Sequence, residues 1–255
     1  MTSLTFDALN VEIHPDRAAM GAAAATRAAA LLRETLARQK QARIIVASAP
    51  SQDELISGLA GAPDLDWSRI TIFHMDEYVG LPAGHPATFR AYQETHLLAL
   101  IRPAAFHGIR GESLDSAAEA ARYAALLAEA PIDLVCLGIG ENGHIAFNDP
   151  PVADFEDAQA VKLVTLDESC RQQQVNDGCF PGLEAVPAEA LTLTCPALMS
   201  GRSLVCVVPG PRKAAAVRST LLDAISTACP ATLLRRHPNA VLYLDPGSSA
   251  ELPVA

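Results

Sequence analysis

The chain has 255 residues, half of them apolar and 19% charged, which is enough apolar material to bury a core and unlike a disordered polymer. Its 29 acidic against 19 basic side chains give a net charge of −10, which argues against nucleic acid or an anionic membrane surface as partner and leaves room only for a local basic pocket. The start of the chain lacks a basic-then-apolar leader and no run of about 18 uncharged apolar residues occurs, so a soluble, cytoplasmic protein is expected.

In chain order, the Ala/Leu/Arg-rich stretch 15–39 predicts a helix, and the apolar run 43–48 a buried strand. Ser51-Gln-Asp-Glu54 matches a capping box and predicts a helix start. Ile70–Phe73 reads as a second strand. Pro86 to about Leu100 reads as a helix with proline in a tolerated first turn. A further Ala-rich helix is expected over 115–129 and a third strand over 132–137. Another strand should end near Leu166, and Leu204–Val208 should form the next. A helix from about 212 to 222 and a strand over Ala240–Leu244 complete the series. This alternation predicts an α/β fold: a single doubly wound, mostly parallel, Rossmann-like sheet with helices on both faces, in one domain over 1–255. The irregular stretch 150–185 is a candidate lid. The cysteines at 136, 170, 179, 195, 206 and 229 form no Cys-x-x-Cys pair and are read as buried free thiols.

Ligands of such sheets bind beyond the carboxyl ends of the strands. After the first buried strand, Ala47-Ser-Ala-Pro-Ser51 leads into the expected helix, where free amides could hold an anion or merely cap the helix. After the second, His74-Met-Asp-Glu-Tyr78 carries two adjacent carboxylates. They suit a general base, or a polar strand end. After the third, Gly138-Ile-Gly-Glu-Asn-Gly-His144 spells Gly-x-Gly-x-x-Gly, but Pro150 and Pro151 follow too soon for the helix a dinucleotide site needs. Backbone close to a ligand, with His144 and Asp149 beside it, is the better reading. Arg171 and Lys213 each follow a strand and are candidate anion holders in an acidic chain. No nucleophile elbow, Walker loop or His-Glu-x-x-His motif is present. His74, His85, His96 and His107 recur every eleven residues across mixed elements, which reads as coincidence, so no metal and no cofactor is expected.

Phe73-His-Met-Asp-Glu-Tyr-Val-Gly-Leu-Pro82 with His85-Pro86, and Gly138-Ile-Gly-Glu-Asn-Gly-His-Ile-Ala-Phe-Asn-Asp-Pro150, resemble the two signatures of glucosamine-6-phosphate deaminases. The likeness extends more weakly over about 15–245. It implies a phosphosugar isomerase–deaminase acting on an amino-sugar 6-phosphate. By that resemblance Asp76 is the base moving a proton between C2 and C1, His144 assists ring opening and Asp149 orients it. Arg171 and Lys213 would hold the phosphate, and Ser48, Ser51, Glu77, Gly140, Asn142 and Gly143 complete the expected substrate-binding set. The partner implied is a small phosphorylated sugar, and the resemblance is compatible with a homo-oligomer. The family pattern usually has Glu at 149, Asp or Asn at 142, and a glycine-containing loop where this chain has Ala47-Ser-Ala-Pro-Ser-Gln52. Two other readings stay open on the same fold. One is a 6-phosphogluconolactonase, which resembles the chain at Asp76-Glu77 and Gly143-His144 but continues differently; the other is a non-catalytic sugar-phosphate sensor.

Overall fold

A computed structural model describes residues 1–253. The chain opens with a hairpin, β1 (Thr2–Phe6) and β2 (Leu9–Ile13), turned at Asp7 with φ of 51°. Helix α1 (Arg17–Arg38) follows, capped by Asp16, whose carboxylate accepts from the Ala19 amide. Next come β3 (Ala42–Val46), α2 (Asp53–Ala60), β4 (Ile70–His74), β5 (Asp76–Tyr78), α3 (Phe89–Gln93) and β6 (Ala105–His107). Then α4 (Ser116–Ala128), β7 (Leu134–Leu137), β8 (Val161–Thr165), α5 (Glu168–Asn176) and β9 (Glu189–Leu193) lead to α6 (Cys195–Met199), β10 (Ser203–Val208), α7 (Ala214–Leu222) and β11 (Ala240–Leu244).

Eight strands form the main sheet in the order β1-β2-β11-β10-β7-β3-β4-β6, parallel throughout except for the β1–β2 pair. This is the expected α/β sheet with helices on both faces. Side chains alternate between its two cores, as the period of a strand requires. On β3, Ile45 joins the core that holds Tyr123 of α4, Leu198 of α6 and Val217 of α7, whereas Ile44 and Val46 join the core under α1 and α2. β7 behaves alike, with Val135 and Leu137 on one side and Cys136 on the other. From β3 the sheet grows outward through β4 and β6, and from β7 through β10 and β11. The direction of winding therefore reverses between β3 and β7, and a crevice opens at that point.

A second, three-stranded antiparallel sheet, β5-β9-β8, was not anticipated. Two local expectations are also corrected. The predicted capping box does not form: a 3-10 turn at Pro50–Gln52 precedes α2, and no side chain caps either. The proline at position 1 of that turn fixes φ for the tight turn, and the α-helix begins at Asp53, one residue later than an N-cap at Ser51 would give. The helix expected from Pro86 begins at Phe89, because the Thr88 hydroxyl accepts from the Ala91 amide and sets the start, and it runs on as a π-turn over Glu94–Leu98. The stretch 150–185 contains β8, matching the strand expected to end near Leu166, followed by α5. All six cysteines are unbridged, five of them buried and Cys179 half-buried. No helix among the described residues is long and apolar enough to cross a membrane.

Candidate active site

A cavity sits at the β3–β7 reversal, lined by the turn after β3 (Ser48, Ser51, Gln52), by Asp76, by the segment after β7 (Gly140, His144, Ala146) and by Gln173, Gln174 and Lys213. The sequence thus delivers its candidates from four separate strand ends to one place.

Asp76 opens β5 directly after β4, with its Cα opposite Thr192 of β9. It is 7% exposed, and no donor among the described residues is bonded to its carboxylate. Burial, reinforced by the neighbouring Glu77, holds its carboxyl well above the usual range. Such a group keeps its basicity for whatever enters the cavity. Glu77 was expected among the substrate-binding residues, but the structure turns it away. Its oxygens accept from the amides of Tyr78 (3.0 Å), Phe89 (2.9 Å) and Arg90 (2.9 Å), which anchors the start of α3. Burial pushes it to about 7 against the pull of those amides.

His144 lies 8% exposed in the turn after β7. Its Nδ1 stands 2.7 Å from Asn142 Oδ1 and 3.0 Å from Asp149 Oδ1, and Asn142 Nδ2 donates to the same Asp149 oxygen at 2.8 Å. Two acceptors at Nδ1 place the proton there and leave Nε2 as the acceptor for the cavity. Burial alone would raise Asp149, but the bonds from His144 and Asn142 outweigh it and hold the carboxyl below its usual range. Asp149, although one methylene shorter than the family's usual Glu, therefore reaches the imidazole directly. Gly140 makes this possible: a Cβ there would stand 2.1 Å from His144 Cε1, so any side chain would displace the ring. Gly143, with φ of 83°, turns the chain against Cys229. Ala146, a cavity residue, has φ of 48°, a conformation that costs a non-glycine residue energy and clusters at functional sites. Asn148 holds the turn by donating to Ile145 O (2.9 Å) and Leu193 O (2.8 Å).

The turn after β3 needs no glycine. None of residues 47–52 has positive φ, and Ala49 is extended at −154°. Ser48 Oγ accepts from the buried Gln93 amide at 2.9 Å, and the first amides of the 3-10 turn have no intrahelical acceptor. Lys213, 8% exposed, faces the same cavity and forms no ion pair among the described residues. Burial lowers its ammonium below the usual range. Arg171 is the clear departure from expectation. Its guanidinium donates to the carbonyls of Leu183 (2.7 Å) and Val186 (2.9 Å), so it braces the chain after α5 and does not line the cavity. The next two residues but one on that helix, Gln173 and Gln174, do line it, and sequence reasoning missed them. A run of glutamines on a polar helix reads as surface, and only the burial of these two singles them out. His74 is a core residue: Nε2 accepts from the Ile109 amide at 2.7 Å, and burial pulls the ring down to about 3, so it stays neutral.

Comparisons with known proteins bear on the family and the fold. A family model described as glucosamine-6-phosphate isomerases/6-phosphogluconolactonase matches residues 15–243. A glucosamine-6-phosphate deaminase of Exiguobacterium sp. (strain ATCC BAA-1283 / AT1b) is 39% identical over 181 residues, covering 71% of this chain and 69% of the relative. Another from Bacillus cytotoxicus is 38% identical over the same length, covering 71% of this chain and 67% of the relative. Among solved structures, a monomeric glucosamine-6-phosphate deaminase superposes with a TM-score of 0.86 at 28% identity, covering 94% of this chain and 98% of the other. A 6-phosphogluconolactonase from Shewanella baltica OS155 shares the fold at a TM-score of 0.74 and 20% identity, covering 92% and 97%. With the catalytic-type residues gathered at one crevice and 229 residues under the family model, the chain belongs to the glucosamine-6-phosphate isomerase/6-phosphogluconolactonase family, as an enzyme closer to its deaminases.

Proposed function

We propose that this enzyme converts an amino-sugar 6-phosphate, glucosamine 6-phosphate first among them, to the ketose 6-phosphate and ammonia. The observation that carries the reading is Asp76: a buried carboxylate facing a cavity with no donor attached among the described residues, in the same cavity as a histidine whose tautomer is set for proton transfer. Lys213, Ser48, Ser51 and the amides of the turn after β3 hold the phosphate. His144 Nε2 takes the proton of the anomeric hydroxyl and returns it to the ring oxygen, which opens the sugar. Asp76 then removes the C2 proton and delivers it to C1, while a proton passes from the amino group to the C1 oxygen, leaving an imine at C2. Water adds there, and the nitrogen departs as ammonia. Helix α5, which brings Gln173 and Gln174 to the cavity, is the part of the 150–185 segment that covers the substrate.

The test is ammonia release from glucosamine 6-phosphate by the purified chain, with Asp76→Asn beside it. Release by the wild type and none by the variant supports the reading. Failure of both, on this and related amino-sugar phosphates, overturns it. Hydrolysis of 6-phosphogluconolactone above the buffer rate would point to the lactonase side of the family. Thermal stabilisation by the sugar phosphate without any product would point to a sensor.

A further inference from the structure

Cys170 has no part in the chemistry above, yet α5 places it, 1% exposed, against the two residues that matter most. One donor atom from each of His144, Asp149 and Cys170 lies within 4.8 Å of the others, and all three side chains are buried. Within this group Asp149 Oδ2 has no partner beyond the weak donor of the Cys170 thiol, on a residue 1% exposed. An imidazole nitrogen, a carboxylate oxygen and a thiol sulfur form the mixed set that zinc-class ions select. Magnesium and calcium take oxygen alone. Donors around one tetrahedral zinc stand about 3.2–3.8 Å apart, given bond lengths of about 2.0–2.3 Å, so shifts of roughly 1 Å would close these three around an ion. Three protein ligands with a fourth position left open is also the arrangement of a catalytic-type zinc site.

We propose that His144, Asp149 and Cys170 form an inhibitory site for a thiophilic divalent cation of the zinc class. Binding replaces the His144–Asp149 hydrogen bond with metal–ligand bonds, releases the thiol proton to solvent and moves the imidazole proton from Nδ1 to Nε2. The imidazole can then no longer turn over a proton, and α5 is tied to the turn after β7. The loss of activity rests on the deaminase reading; the binding itself does not.

The experiment titrates the full chain with cobalt(II) as spectroscopic probe and with zinc as inhibitor, in the wild type, Cys170→Ser, Cys170→Ala and Cys179→Ser. The wild type and Cys179→Ser should show a thiolate-to-cobalt charge-transfer band, a rise in Tm with zinc, and ammonia release that zinc abolishes and EDTA restores. Both Cys170 variants should keep basal activity, lose the band and need at least about tenfold more zinc for the same inhibition. The absence of a thiolate band in the wild type, or equal zinc sensitivity in whichever Cys170 variant folds, overturns the site. If the untreated chain releases no ammonia, the deaminase reading falls by itself, and the cobalt band still decides the site.

Discussion

Replacing Asp149 by asparagine removes a charge and nearly keeps the shape. In the folded chain the carboxylate is 1% exposed and 3.0 Å from His144 Nδ1. At that distance and an effective dielectric of about 20, attraction to an imidazolium is about 5–6 kcal/mol. Desolvation cancels much of this, and a hydrogen bond to a charged group is worth about 1.5–3 kcal/mol net. The loss falls on the step at which His144 carries a proton, because the neutral ring has no full charge to stabilise. Each 1.36 kcal/mol is tenfold in rate, so kcat should drop about 10- to 150-fold while KM changes little. The amide must also choose which of its ends faces Nδ1, and an NH2 there would favour the wrong tautomer. The assay is steady-state ammonia release with kcat and KM resolved separately, and a thermal melt to show that the variant folds. A folded Asp149→Asn with kcat within twofold of wild type would refute the idea that this carboxylate orients and charges the histidine.

Asp76→Asn should lower the rate by about 10²–10⁴-fold and raise Tm at pH 8. Burial makes the folded chain favour the protonated carboxyl more than the unfolded chain does, so wild-type stability falls as pH rises from the ordinary carboxylate value toward the raised one. The asparagine escapes that loss, and the Tm gain should vanish as pH falls; a gain independent of pH would contradict the assignment. For the same reason wild-type activity should decline on the acid side at a higher pH than a free carboxylate gives. Gly140→Ala should cost about 100-fold in kcat with the phosphate grip intact, because a Cβ there collides with the His144 ring; unchanged kcat would show that the ring tolerates displacement. Lys213→Ala should raise KM for the sugar phosphate by at least about tenfold with little loss of Tm, whereas Arg171→Ala should lower Tm and leave KM nearly alone. The reverse pattern would return Arg171 to the phosphate.

Much of the architecture was legible because β3, β4, β7, β10 and β11 are buried on both faces, and such strands appear as unbroken apolar runs. β5 was not, since Asp-Glu-Tyr is short and polar and owes its strand form to β9, far along the chain. The β1–β2 hairpin hid for a related reason: it lies at the sheet edge, and on β2 only Leu9 and Val11 are fully buried. In the site, Asp76, His144 and Asp149 stood out because carboxylates and a histidine follow buried strands, where polar side chains are costly without a task. Arg171 misled because its charge is visible in the sequence while the carbonyls of Leu183 and Val186 that take it up are not. Gln173 and Gln174 gave no signal, because their burial depends on how α5 lies over the cavity.

The Asp76–Glu77 doublet shows how little distance separates the proposed base from a structural group. Side chains alternate along a strand, so consecutive residues of β5 must face opposite ways. One direction leads to the cavity, where no donor among the described residues is bonded to the carboxylate. The other leads to the start of α3, where the amides of Phe89 and Arg90 are free because a helix leaves its first N–H groups without acceptors. Both carboxylates are buried, and burial raises both, but only Glu77 has fixed dipoles to offset it. The second small sheet matters for this reason. By pairing β5 with β9 it fixes which face of the strand turns inward, and a slip of one residue in that pairing would hand the cavity Glu77 and send Asp76 to the helix. The register Asp76–Thr192 is therefore as much a part of the candidate active site as the carboxylate it aims.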